Sequence, residues 1–162
     1  MITTFLLLAL LAGDGPAIPD HFKAFTPLIG KDWRATFQDG KVSDVQRFEW
    51  IYGGKFMRNT HWVRDAAGKV TYEGETVYAW DYKKKRLAWY YFNTSGGHMV
   101  GWVEGKGNGM TAYGANNAPG QTAEVKGEML IEAGQFISVQ YFMKDGAWAQ
   151  EFRVVYKPVL AE

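Results

Sequence analysis

From Trp33 almost to the C-terminus, about ten stretches alternate apolar and polar residues with a period of two, joined by short turns. That period belongs to a strand with one buried face, so it commits most of the chain to β structure. The connections, among them Asp39-Gly40, Gly53-Gly54, Asp65-Ala66-Ala67-Gly68 and Asp145-Gly146, are too short for crossovers. Strands adjacent in sequence are therefore expected to be adjacent in the sheet. An open meander of this size would twist strongly and leave two unpaired edges, and closure removes both. The predicted fold is all-β: an about ten-stranded antiparallel up-and-down meander closed into a barrel, with room inside for a small apolar molecule.

The clearest alternation sets Val70, Tyr72, Thr76, Tyr78 and Trp80 against Lys69, Thr71, Glu73 and Glu75. Arg86 to Thr94 is apolar almost throughout, which predicts cover on both faces. One short N-terminal helix is expected from Asp20 to Ile29 and is the candidate for that cover. Phe22, Phe25, Leu28 and Ile29 recur near every third or fourth position, Asp20 is placed to cap the start, and Pro27 and Gly30 limit the length to one or two turns.

At 162 residues the chain suits one barrel domain, expected over 18–162. The apolar run Phe5 to Ala12 is too short to span a bilayer. With small residues at Gly15 and Ala17 it reads as a signal peptide over 1–17, hence a periplasmic or secreted protein. The alternative is an apolar segment that packs on the barrel. Eighteen basic and 17 acidic residues give a net charge of +1, which favours neither nucleic acid nor sustained attraction to an anionic membrane, and no stable membrane span is expected. The basic run Lys83 to Arg86 reads as a solvated hairpin turn rather than a phosphate or lipid site. Cysteine is absent, which removes disulfides, thiolate metal sites and a thiol nucleophile. Seven Trp, nine Tyr and ten Phe are more aromatic area than a soluble sheet needs, so they must fill the barrel or line a cavity.

No motif fixes a reaction. His21, His61 and His98 lack any metal-binding spacing, and Ser43, Ser95 and Ser138 lack a nucleophile context. Gly105-Lys106-Gly107-Asn108-Gly109 reads as a turn, because no helix follows to bind a phosphate. Strand parity places His98 inward with Val100 and Trp102, and His61 outward with Lys55, Met57 and Asn59. Several polar residues share parity with apolar ones: Gln46, Arg58, Glu104, Gln140 and Gln150. Buried polar groups need partners, so these must pair with one another or orient a ligand. Arg58, in parity with Phe56 and Trp62, is the sharpest of them, since a guanidinium among aromatics suits a carboxylate head group. The competing reading is that Arg58 sits at the barrel mouth or forms a structural ion pair with Glu104.

Leu28-Ile29-Gly30-Lys31-Asp32-Trp33 resembles the opening motif of the calycin superfamily, which includes lipocalins, fatty-acid-binding proteins and nitrobindin-like barrels. Glu49-Trp50-Ile51-Tyr52-Gly53-Gly54-Lys55-Phe56 and Tyr78-Ala79-Trp80-Asp81 are similar to stretches of bacterial lipocalin-like proteins of unknown function. The resemblance implies a calycin-like barrel with Trp33 plugging its closed end and a cavity for an apolar ligand. No histidine stands in a C-terminal strand, where nitrobindin-like barrels supply their haem ligand, so no cofactor and no metal are expected. The reading that follows is an exported barrel that carries or senses a small, mostly apolar ligand, in one version acidic. Trp50, Trp62, Tyr78, Trp89 and Trp102 would line its cavity and Arg58, His98 and Gln140 would anchor polar atoms. The alternatives are a haem-binding or small-substrate enzyme using His98 with Glu104, and a filled structural barrel that makes protein contacts. The oligomeric state is left open.

Overall fold

The computed structural model describes residues 17–37, 40–106, 109–118 and 121–159. The expected signal peptide, apart from Ala17, lies outside the described residues, as do Asp39 of the first turn, Gly107 and Asn108 of the glycine-rich turn, and Pro119 and Gly120. A 3-10 helix, Asp20–Leu28, precedes ten strands: β1 Asp32–Phe37, β2 Val42–Ile51, β3 Phe56–Arg64, β4 Val70–Asp81, β5 Arg86–Asn93, β6 His98–Lys106, β7 Gly109–Ala118, β8 Gln121–Glu132, β9 Gln135–Lys144 and β10 Ala147–Val159. Each strand pairs antiparallel with the next, and β10 returns to β1, so the meander is closed. Among the described residues the seam pairs Asp32 with Val159, Trp33 with Pro158 and Arg34 with Lys157.

The helix closes one end. Phe22, Phe25 and Leu28 recur every third residue, and a helix of three residues per turn aligns them on one face, which is wholly buried. Each such burial is worth roughly 1.5–3 kcal/mol. Phe25 packs on Tyr78, Phe22 on Trp50 and His21 on Trp80. Three details differ from expectation. The nine-residue helix makes about three turns, not one or two, because a 3-10 helix has three residues per turn and Pro27 sits inside it. Pro19 holds the N-cap position while Asp20 sits in the first turn, paired with Lys23 at 2.7 Å. The helix also caps the barrel end instead of covering β5, whose outward Tyr90 and Phe92 remain 43% and 53% exposed.

Trp33 is the plug that its motif implied. Its indole N–H donates to the Leu28 carbonyl at 2.9 Å, tying the helix C-terminus to β1, and its ring meets Phe136 edge-on. Phe136 in turn contacts Phe48 and Tyr156, so the closed half of the lumen is a continuous aromatic core with Met57, Val125 and Leu28.

Residues paired directly across an antiparallel ladder share a face, so the register carries this inward set around the barrel. Phe48 opposes Asn59, Asn59 opposes Thr76, Thr76 opposes Tyr91 and Tyr91 opposes Met99. The lumen is therefore apolar at the helix end and increasingly polar toward the other.

Candidate functional site

At the end away from the helix, six inward side chains from five strands form one hydrogen-bonded chain. Asp44 and Gln46 come from β2, His61 from β3, Tyr72 from β4, Tyr91 from β5 and Tyr156 from β10. Tyr156 donates its hydroxyl to Asp44 Oδ2 at 2.8 Å and accepts from Gln46 Nε2 at 3.0 Å. His61 Nδ1 lies 3.4 Å from Asp44 Oδ1, its Nε2 lies 3.1 Å from the Tyr91 hydroxyl, and that hydroxyl lies 2.5 Å from the hydroxyl of Tyr72. The His61 and Asp44 side chains are 17% and 11% exposed, so the pair is shielded without being sealed.

Local register explains why these groups meet. His61 opposes Gly74 and Gly74 opposes Asn93, so His61 on β3 and Tyr91 on β5 approach each other across a strand that carries no side chain at that position. A Cβ on Gly74 would collide with both the Tyr91 hydroxyl and His61 Nε2. Burial raises the Tyr91 hydroxyl pKa, and its bond to Tyr72 adds to the effect. Burial and the neighbouring Asp44 carboxylate do the same to Tyr156. Both phenols therefore stay protonated and act as hydrogen-bonding groups, not as phenolates.

Solvent reaches this end of the lumen. Inward Asn93, Met99, Ala123, Gln140 and Phe142 are only half-buried, and Phe152, which opposes Gln140, is 47% exposed. Trp89 forms part of the wall. Its indole N–H donates to the Tyr113 carbonyl at 3.1 Å and its ring lies against Gly114, which faces Gly101 across the ladder.

Of the residues singled out in the sequence, Trp50, Tyr78, Trp89, Gln140 and Gln46 face inward. Trp50 and Tyr78 belong to the helix-capped half, where they contact Phe22 and Phe25. Arg58, Trp62, His98 and Trp102 face outward, contrary to their expected parity, and His61 faces inward. Arg58 opposes Glu49 and bonds it at 2.9 Å, with Glu75 at 3.5 Å, so its partners are these two carboxylates and not Glu104. Arg47 lies over the Trp62 ring and Arg86 over the Trp102 ring. His98 stacks loosely on Phe92, and Glu104 accepts from Trp102. Six residues apart on one strand, His98 and Glu104 are about 20 Å apart, too far to act as an acid–base pair. Gln150 also leaves the inward set, because a bulge between Gln150 and Phe152 shifts the register of β10. Because Arg58 and its partners are each more than a third exposed, Arg58→Ala should cost less than about 1 kcal/mol in a urea titration.

Two surface depressions, of about 480 and 460 Å³, lie outside this network. The first is on the outer wall around Glu104, Thr111 and Glu128; the second is beside the helix at His21, Trp80 and Arg86. Neither includes Asp44 or His61, and an inner chain of convergent polar groups is the stronger chemical feature. Among the described residues, no group of three or more His, Asp or Glu side chains gathers closely enough for a metal ion, and no helix is long and apolar enough to cross a membrane.

A closed ten-stranded antiparallel meander with one capping helix fits a calycin-like barrel in general. No known protein family matches the sequence, and neither does any curated protein. Among solved structures, the crystal structure of Rv2717c from M. tuberculosis is similar, with a TM-score of 0.57 over 88% of this chain and 99% of that one. Its 13% sequence identity makes this a likeness of fold alone.

Proposed function

We propose that the protein binds a small, mostly apolar molecule in the open half of its lumen, with the Asp44–His61–Tyr91–Tyr72 chain meeting the polar end of that molecule. The observation that carries this reading is the asymmetry of the lumen: aromatic and capped by the helix at one end, half-buried and polar at the other. A partly solvated histidine–aspartate pair adds little stability over apolar packing, which supports a binding role over that of a filled support. Gln140 and Phe142 extend the wall of the same space. The N-terminal apolar run keeps export as part of the reading.

Titration with the fluorescent neutral probe N-phenylnaphthylamine should give one saturable site. Gln140→Trp, which fills the lumen from β9, should weaken that site at least tenfold, and Arg58→Ala on the outer wall should leave it unchanged. The absence of saturable binding, or equal binding by the Gln140→Trp variant, would overturn the reading.

A further inference from the structure

The hydrogen-bond chain has a direction, and the direction says which ligands it accepts. A carboxylate has only acceptors, so Asp44 takes the proton of His61 Nδ1 as well as that of Tyr156. In neutral His61 the other nitrogen, Nε2, is then an acceptor, and Tyr91 must donate to it. With the Tyr91 proton so used, Tyr72 must donate to Tyr91. Tyr72, the half-buried outer member, is left with no free proton and turns only lone pairs toward the lumen. Every proton in the chain points inward, ending on Asp44.

Adding one proton to His61 reverses the chain. Nε2–H now donates to Tyr91, Tyr91 donates to Tyr72, and the Tyr72 hydroxyl becomes free to donate into the lumen. The imidazolium charge is held by Asp44 on its far side. The groups facing His61 are Asp44 and Gln46 from β2, Tyr72 from β4, Tyr91 and Asn93 from β5 and Tyr156 from β10, and of these only Asp44 carries charge. The high pKa values of Tyr91 and Tyr156 keep them as hydroxyls in either state, so Tyr91 relays the reversal without ionising and Tyr156 goes on donating to Asp44.

We propose that the lumenal site takes an organic anion on an apolar body and takes it up together with one proton from solvent, which comes to rest on His61. The inference rests on the ligand-binding reading above and names its ligand class. Proton balance is simple: the anion enters unprotonated, one solvent proton adds to Nε2, and no bond within the ligand changes. Binding therefore tightens as pH falls, by up to about tenfold per unit for one linked proton.

The test uses two probes with the same aromatic body. Anilinonaphthalene sulfonate remains anionic through the range in which imidazoles titrate, and N-phenylnaphthylamine remains neutral. Between about pH 8 and pH 5.5 the anionic probe should tighten at least fivefold and the neutral probe change less than twofold, with circular dichroism confirming the native fold at both values. His61→Gln should abolish the pH dependence. Tyr72→Phe, at the outer end of the chain, should weaken the anionic probe about fivefold at the lower pH and leave the neutral probe unchanged. A pH-independent anionic probe, or a pH dependence that survives both substitutions, would overturn the proposal. If the neutral probe binds and the anionic one shows no proton linkage, only this inference fails; if neither binds, the ligand-binding reading fails with it.

Discussion

Trp33→Ala is expected to destabilise the barrel by about 3–5 kcal/mol, a large fraction of the total stability of a domain this size. Three losses combine. The indole is 1% exposed, so its removal leaves a cavity against Phe136 that the rigid strands around it cannot close. The Leu28 carbonyl, buried and bonded to Trp33 Nε1 at 2.9 Å, loses its partner. The helix then loses this latch to β1, and β1 is also the strand whose seam with β10 shows three paired positions among the described residues. Urea denaturation should show a lower midpoint with an unchanged slope if the barrel remains closed in the native state. Trp33→Phe separates the terms, since it keeps most of the packing and loses the hydrogen bond, and it should cost about 1–2 kcal/mol. A loss below about 1 kcal/mol for the alanine variant would mean that the helix, not the indole, seals this end.

The closed meander was legible in the sequence because it depends on local signals, turn residues and a period of two, whereas the plug was implied only by the resemblance of the stretch Leu28 to Trp33 to the calycin opening motif. The faces of β3 and β6 were not legible. On β3 the more aromatic set, Phe56 and Trp62, lies outside, and Met57, Asn59, His61 and Val63 lie inside. Alternation alone assigns the more aromatic set to the interior, and here that rule inverts because one end of the lumen is polar and the outer aromatics have their own cover. Arg47 reaches over Trp62 from β2, Arg86 over Trp102 from β5 and Lys126 over Tyr141 from β8. Such cover depends on which residues stand opposite one another, which is a property of register and not of any single strand. The same blindness hid the site, since Asp44, His61, Tyr72, Tyr91 and Tyr156 are scattered over more than a hundred positions and meet only on closure. One signal was present: Gly74 is the gap in the otherwise regular series Val70, Tyr72, Thr76, Tyr78, Trp80. A glycine inside a well-patterned strand marks a close approach, and what approaches here is a hydrogen bond between the two neighbouring strands.

That glycine gives the second large expectation. In an ordinary extended strand position, Gly→Ala stabilises by about 0.4–1 kcal/mol by restricting the unfolded chain. Gly74→Ala should have the opposite sign. Its Cβ would stand within 2.6 Å of the Tyr91 hydroxyl, Tyr91 Cε2 and His61 Nε2, and the two rings must separate to admit it. Neither ring has an easy retreat, because His61 is held from behind by Asp44 and Tyr91 is held by Tyr72. The chain therefore breaks at its middle, with Nε2 and the Tyr91 hydroxyl losing each other in a half-buried place, at an expected cost of about 1–3 kcal/mol. The break also isolates Tyr72 from His61, so a proton on the imidazole can no longer free the Tyr72 hydroxyl toward the lumen. In Gly74→Ala the anionic probe should lose its pH dependence while the neutral probe still binds, as in His61→Gln, although both His61 and Tyr72 are present. A stabilised Gly74→Ala protein with its pH dependence intact would show that His61 and Tyr91 are not coupled across β4, and the directed chain from Asp44 to Tyr72 would fall with that contact.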